Sequence, residues 1–410
     1  NNVSKKYDGY CNDIFFDNAM EFIEENGERP FFTYVATNLP HFPLQIAEEY
    51  VEPYRGYGVN ELNAKTYGMI TNIDDNVGRL LKKLEELNLE DDTIVIFLSD
   101  NGPRTSRVKN DRYPDRYNNG FRGTKTSIYE GGIHVPFFIR WPERFKAAKK
   151  ISTIAAHIDV LPTLLDACSI KQPKDVMIDG VSLMPLIRDE KANWPDRTIF
   201  FQWHNGDVPY MYVHFAARSQ RFKLVQPWPE NPHIIQLYPT ATELRSILAN
   251  IELYDIENDP YEIDNIAAKH PDVVQKMLAD YENWFSDVTS ERDYHHPQKI
   301  YIGTPYENPV MLSRFDWRGF RARLGLGWWD VNVTRSGRYN ITLRHQSTAR
   351  SGEAHFRFGK LHIVQPLSKA SRSCTFNNVP LETGEKKMEA WIKFDRESTG
   401  VNFVDVELVN

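Results

Sequence analysis

The spacing of apolar residues changes along this chain, and each spacing predicts a different element. Between Phe16 and Asn26, Phe16, Met20 and Ile23 fall on one face of a helix that Gly27 stops. Phe31-Phe32-Thr33-Tyr34-Val35-Ala36 then reads as a buried strand. From Thr66 to Leu87, Met69, Ile70, Ile73, Val77, Leu80, Leu81 and Leu84 recur at helical spacing and predict a long amphipathic helix. Thr93 to Leu98 is apolar without alternation, as expected of a central strand covered on both faces. It runs into Ser99-Asp100-Asn101-Gly102. Open α/β sheets bind ligands at the carboxyl ends of their strands, which makes this turn a candidate site.

Beyond Trp194 the pattern mixes strand-like pieces at Thr198–Trp203, Tyr210–Ala217 and Phe222–Gln226 with a helix near Asp272–Val288. After His295-His296-Pro297 the period becomes two. Trp329–Val333, Tyr339–Leu343, His355–Phe358 and Phe403–Leu408 read as short alternating strands, which predicts a β-sandwich. The expected organisation is therefore an α/β region over 1–190, a small antiparallel-sheet-plus-helix unit over 191–295 and a β-sandwich module over 296–410.

Composition narrows the class. With 41% hydrophobic and 26% charged residues the chain is an ordinary globular protein. Its net charge of −7 argues against a general nucleic-acid or acidic-membrane binder. No apolar run approaches the roughly 20 residues of a membrane span. Cys11, Cys168 and Cys374 are far apart and lack metal spacing, so free thiols are expected. Glycosylation sequons at Asn2, Asn332 and Asn340 are too few to assign a compartment.

Two short stretches carry chemistry. Asp100 and Asn101 are adjacent oxygen donors, the type that binds hard cations such as calcium, although Asp-Asn-Gly is also common turn chemistry. A calcium ion takes about six to eight oxygens, so its other ligands must come from elsewhere. Lys125 lies between Gly123 and the Glu130-Gly131-Gly132 turn, where glycines let the backbone approach an anion and a lysine supplies compact positive charge. The loop from Arg104 to Arg116 holds five basic and two acidic side chains; it either steers an acidic ligand or is simply solvated.

These stretches occur in an ordered series. Asn38-Leu39-Pro40-His41-Phe42-Pro43-Leu44, Tyr67 to Gly78, Ser99 to Gly102, Arg122 to Pro136, His157 to Leu164, Asp179 to Leu183 and Glu252 to Asp255 together resemble the type I sulfatases of the alkaline phosphatase superfamily. The resemblance covers roughly residues 7–290. It implies an α/β fold with an alkaline phosphatase-like mixed sheet core, here N-terminally truncated, followed by a small α+β subdomain and the β-sandwich. It also implies roles: Asp100 and Asn101 as ligands of one calcium ion, Lys125 on the sulfate oxygens, and His41 on the sulfate or the bridging oxygen. A histidine suits the last task because its charge changes near neutral pH. His204 is a candidate lining residue of the substrate pocket. His134 stands where many relatives carry arginine.

The family's nucleophile is a formylglycine made from Cys or Ser in a C/S-x-P/A-x-R motif, preceded by an Asp pair that completes the calcium site. None of the cysteines fits. Ser368-Lys369-Ala370-Ser371-Arg372 matches the letters but follows the metal site instead of preceding it, and reads as coincidence. The formylglycine is therefore expected upstream of Asn1, and this chain alone is expected to be inactive. The leading expectation is a periplasmic or secreted hydrolase of sulfate esters on sulfated carbohydrates, with either a separate N-terminal half or self-association through an exposed sheet edge. The alternatives are a non-catalytic glycan-binding homologue, suggested by Trp317, Trp328, Trp329 and Trp391, and a phosphodiesterase of the same superfamily.

Overall fold

The amphipathic N-terminal segments form α1 (Cys11–Asn26), α2 (Glu48–Gly56) and α3 (Glu61–Glu86). The computed structural model describes residues 5–104, 116–188, 192, 194–204, 209–227, 248–290, 298–318, 326–395 and 397–409. Asn60 caps α3 by accepting the Asn63 amide at 2.9 Å. Helix α1 buries Phe16, Ala19 and Ile23, and α3 buries Met69 and Leu84. The contact between them is also polar. Asn72 and Asn76 donate their side-chain amides to Asp13 at 2.9 and 2.8 Å, and Asn12 donates to Asn72 at 2.9 Å. This pairing lets asparagines occupy a buried helical stripe, where unpaired they would be costly. The apolar pattern of α3 is only partly used, since Ile70 is 46% exposed.

Strand β1 (Val95–Leu98) forms where the apolar run predicts a strand, but its surroundings differ from the expectation. It pairs antiparallel with β2 (Phe137–Arg140), Val95 opposite Arg140, in a two-stranded sheet, and Phe97 and Phe138 are exposed. A strand covered on both faces requires neighbours on both edges and layers above and below; among the described residues β1 has one neighbour. Residues 31–36 form no ladder there either, and Phe32 and Tyr34 are 75% and 81% exposed.

Between and after these strands come the single-turn helix α4 (Glu130–Ile133), α5 (Val160–Ala167) and α6 (Met184–Arg188). Asp159, wholly buried at the start of α5, accepts the Ala156 and Val181 amides at 2.8 and 2.9 Å and the Arg197 guanidinium at 2.7 Å. It ties three chain segments to one carboxylate. An antiparallel sheet follows in the order β3 (Ile199–Gln202), β4 (Phe215–Arg218), β5 (Phe222–Gln226) and β6 (Glu252–Asp255). Strand β4 starts later than its apolar pattern suggests, because Tyr212 and His214 have φ of +66° and +50°, which a strand cannot accommodate. Helix α7 (Pro271–Ser290) covers this sheet through Tyr281, which stacks on Phe215 at 3.6 Å and donates its hydroxyl to Gln202.

By its internal contacts the chain divides into two units, Asn1–Trp203 with Tyr212–Trp284, and His204–Met211 with Phe285–Asn410. The second contains two sheets. One has the order β13 (Ser373–Leu381), β10 (Gly337–Arg344), β16 (Phe403–Val409), β8 (Val310–Ser313). The other runs β12 (Leu361–Leu367), β11 (Gly352–Phe358), β14 (Gly384–Phe394), β9 (Trp329–Val333), β7 (Ile300–Ile302), with β15 (Glu397–Gly400) also on β14. Their facing residues, among them Trp329, Tyr339, Ile341, Phe356 and Met388, form one core. Each such large apolar side chain contributes about 1.5–3 kcal/mol on burial. The alternation in β9 and β10 is the period-two signal read from the sequence.

Candidate metal and anion site

The turn after β1 is built from its own side chains. Ser99 Oγ donates to the Asn101 carbonyl at 3.1 Å, and the Asn101 amide nitrogen donates to the Gly102 carbonyl at 2.9 Å. That bond leaves Asn101 Oδ1 as the oxygen the side chain can offer. Asp100 is exposed and has no cationic partner among the described residues. His157 donates from Nε2 to the Ser99 carbonyl at 2.7 Å and braces the turn.

The backbone then joins this turn to the loop carrying Lys125. Gly102 N–H donates to the Gly132 carbonyl at 2.9 Å, and Lys125 N–H donates to the Pro103 carbonyl at 2.9 Å, which also accepts Thr124 Oγ1 at 2.6 Å. A Cβ on Gly102 would lie 2.1 Å from the Gly131 carbonyl oxygen, so only glycine permits this approach. Gly123 has φ of +87°, the left-handed region that favours glycine. Asp100, Asn101 and Lys125 thus stand on two segments held in fixed register.

The Lys125 loop is anchored from below. Ile128 is buried with Ala216, Val225 and Tyr254 of the four-stranded sheet. Glu130, at the start of α4, meets Lys223 at 2.9 Å, Arg218 at 3.6 Å and His134 at 3.2 Å. Lys223, with no exposed side-chain surface, also meets Glu262 at 2.8 Å, and Glu262 accepts the Glu130 amide at 2.7 Å. Burial would raise the Glu130 carboxyl, but His134, Lys223 and Arg218 outweigh it and hold it down to about 2. At Glu262 burial wins and pushes the carboxyl up, against the pull of Lys223. Arg122 adds a second clamp, donating to the Tyr254 hydroxyl at 2.6 Å and the Glu262 carbonyl at 3.1 Å. His134 also stacks on Phe121 at 4.7 Å, so at this position it is part of the anchor.

His41 sits exposed in the loop between α1 and α2, its Nδ1 2.8 Å from the Phe42 carbonyl, and no hydrogen bond among the described residues links it to Asp100, Asn101 or Lys125. His204 is exposed just after β3 and belongs by its contacts to the second unit. Of the basic loop, residues 105–115 lie outside the described residues. The cysteines are all free. Sequence reasoning assigned no role to His157, Glu130, Lys223 or Glu262. Only the adjacency of strand and loop in space reveals their part, although the isolated Lys223 inside an apolar strand was a visible anomaly.

The donor set fits part of a calcium site. A carboxylate and an amide oxygen are the right chemistry, but among the described residues no group of three or more His, Cys, Asp or Glu side chains converges to hold a metal.

A family profile described as Sulfatase matches residues 1–170, and one described as N-sulphoglucosamine sulphohydrolase, C-terminal, matches residues 121–284. The chain belongs to the sulfatase family, consistent with a type I sulfatase of the alkaline phosphatase superfamily. It is 29% identical over 289 residues to the uncharacterized sulfatase YdeN of Escherichia coli (66% of this chain, 49% of that protein). It is also 29% identical over 270 residues to the N-acetylgalactosamine-6-O-sulfatase of Bacteroides thetaiotaomicron (65% and 49%). Among solved structures, that of Ps i-CgsB in complex with k-i-k-neocarrahexaose is similar, with 25% identity and a TM-score of 0.57 over 69% of this chain and 56% of that one. The chain thus spans about half the length of the curated relatives it matches.

Proposed function

We propose that this chain carries the metal- and anion-binding part of a sulfate-ester hydrolase acting on sulfated carbohydrates. The observation that supports it most is the backbone stitching that holds the segment bearing Asp100 and Asn101 against the segment bearing Lys125. Asp100 and Asn101 would hold calcium as two of its ligands, and the ion would supply positive charge to polarise a sulfate oxygen. Lys125 binds the sulfate oxygens and offsets the charge that develops on them. His41 protonates the leaving oxygen.

The formylglycine nucleophile and the remaining metal ligands lie, in this reading, upstream of Asn1, and the chain alone does not turn over a sulfate ester. The exposed Phe32, Tyr34, Phe97 and Phe138 are then the surface on which that segment, a separate N-terminal half or a second copy packs. The complete protein is exported to the periplasm or secreted. The described residues contain no helix long and apolar enough to cross a membrane. The test is to read the coding region before Asn1. An in-frame C/S-x-P/A-x-R motif preceded by an Asp pair supports the proposal; a start codon at that point without either sinks it.

A further inference from the structure

The outer face of the sheet formed by β12, β11 and β14 carries two histidines that the sulfatase reading does not use. Ala354, Phe356 and Phe358 of β11 point into the core, so alternation turns Glu353, His355 and Arg357 to the opposite face. On β12, His362 stands opposite Arg357 and is the diagonal neighbour of His355. Their rings approach until His355 Nδ1 and His362 Nε2 are 3.1 Å apart. Trp391, opposite His355 on β14, lies nearly parallel to both rings, with centroids 4.8 and 5.5 Å away. The indole fixes both ring planes and helps leave His355 only 7% exposed, whereas His362 is open to solvent.

Two features exceed what packing requires. Metal–imidazole bonds are about 2.0–2.1 Å long. Nitrogens 3.1 Å apart therefore subtend about 100° at a shared ion, an angle that tetrahedral and square-planar geometries both accept. The other feature is the far nitrogen of His355. Its Nε2 is closed to solvent, makes no hydrogen bond among the described residues, and faces Glu353 Oε2 at 3.6 Å. Buried nitrogens are normally paired, and a metal-bound histidine holds its second N–H on a carboxylate, the place Glu353 occupies. The nearby cations are offset. Arg357 is held by Glu389 at 3.2 Å, and Lys393 stands opposite Glu353.

We propose that His355 and His362 bind one divalent transition-metal ion of the copper, nickel or zinc class. Both nitrogens give lone pairs to the ion, which enters from the His362 side and replaces the proton of their hydrogen bond. His355 then carries its proton on Nε2, toward Glu353, and His362 carries its own on Nδ1. No third His, Cys, Asp or Glu joins them among the described residues, so water fills the other positions and the ion exchanges readily. The inference is independent of the proposed hydrolysis, because all these residues lie in the second unit and the readout is binding.

Calorimetric titration of the full chain with nickel and zinc chlorides tests it, at about pH 7.5, where neutral imidazole prevails. Each ion should saturate a site. His362→Gln alters an exposed residue, leaves folding intact and should weaken both ions at least about 100-fold, since even a lost supporting group costs roughly 10–100-fold. Glu353→Ala touches neither ligand and should weaken both about tenfold. Excess calcium should not displace nickel, because calcium takes oxygen ligands, which separates this pair from the Asp100-Asn101 turn. No saturable binding of nickel or zinc, wild-type affinity in either variant, or displacement of nickel by calcium would overturn the proposal.

Discussion

Replacing Lys223 with methionine should cost the first unit more stability than any nearby surface change. The lysine is enclosed, with Glu130 at 2.9 Å and Glu262 at 2.8 Å. Methionine fills much of the same volume but leaves two carboxylates without their shared cation. Breaking a buried ion pair from one side costs about 3–5 kcal/mol, because the surviving charge has neither water nor partner. Glu130 retains Arg218 and His134, and Glu262 can escape by binding a proton, its carboxyl being already raised. The loss should therefore sit near the lower end, about 3 kcal/mol at pH 7, and shrink at mildly acid pH. Urea unfolding monitored by tryptophan fluorescence measures it. Adding Glu262→Gln should restore at least about half of the loss, since contacting residues couple strongly. A loss below about 1 kcal/mol, or no rescue by the second change, would refute the reasoning that this cluster is an ionised anchor.

Other outcomes follow from the same geometry. Stability should fall as pH drops from about 4.5 towards 2, because Glu130 is depressed in the folded chain and loses its contribution over that interval; Glu130→Gln should flatten this acid limb. Glu262, raised by burial, works in the opposite sense: its contribution is full below the ordinary carboxylate value of 4.5 and is lost as pH rises through its folded value. Gly102→Ala should separate the Asp100 turn from the Lys125 loop, since the new methyl would meet a backbone oxygen at 2.1 Å; accelerated amide exchange at Gly102 and Lys125 checks this. Asp159→Asn should destabilise by about 3 kcal/mol in a thermal melt, leaving Arg197 half-satisfied in a buried site.

Helices and sandwich strands were legible because one periodicity dominates each. Phe16 and Ile23 in α1, Met69 and Leu84 in α3, and the alternation of β9 and β10 all follow the pattern that predicted them. The Thr93–Leu98 run announced a strand but not its environment, because an apolar sequence states what a strand could bury and not which neighbours are present. The pairing of Asp100 and Asn101 with Lys125 was legible only through family resemblance. Twenty-odd residues separate them, and nothing local in either stretch encodes the Gly102–Gly132 and Pro103–Lys125 hydrogen bonds. The Glu130–Lys223–Glu262 cluster was not legible at all, since its members come from a one-turn helix, a strand and a turn far apart in sequence.

In the function proposed, the joined Asp100-Asn101 and Lys125 segments bind and activate a sulfate ester. The direct measurement is sulfate release from a panel of sulfated monosaccharides by the chain joined to the N-terminal segment that the proposal requires, beside the same protein carrying Lys125→Ala. Release should depend on calcium, with kcat/KM lowered about 10²–10³-fold by the substitution, the loss typical of removing one oxyanion-stabilising group. Release unaffected by Lys125→Ala, or none from a protein that contains the C/S-x-P/A-x-R motif, would contradict it.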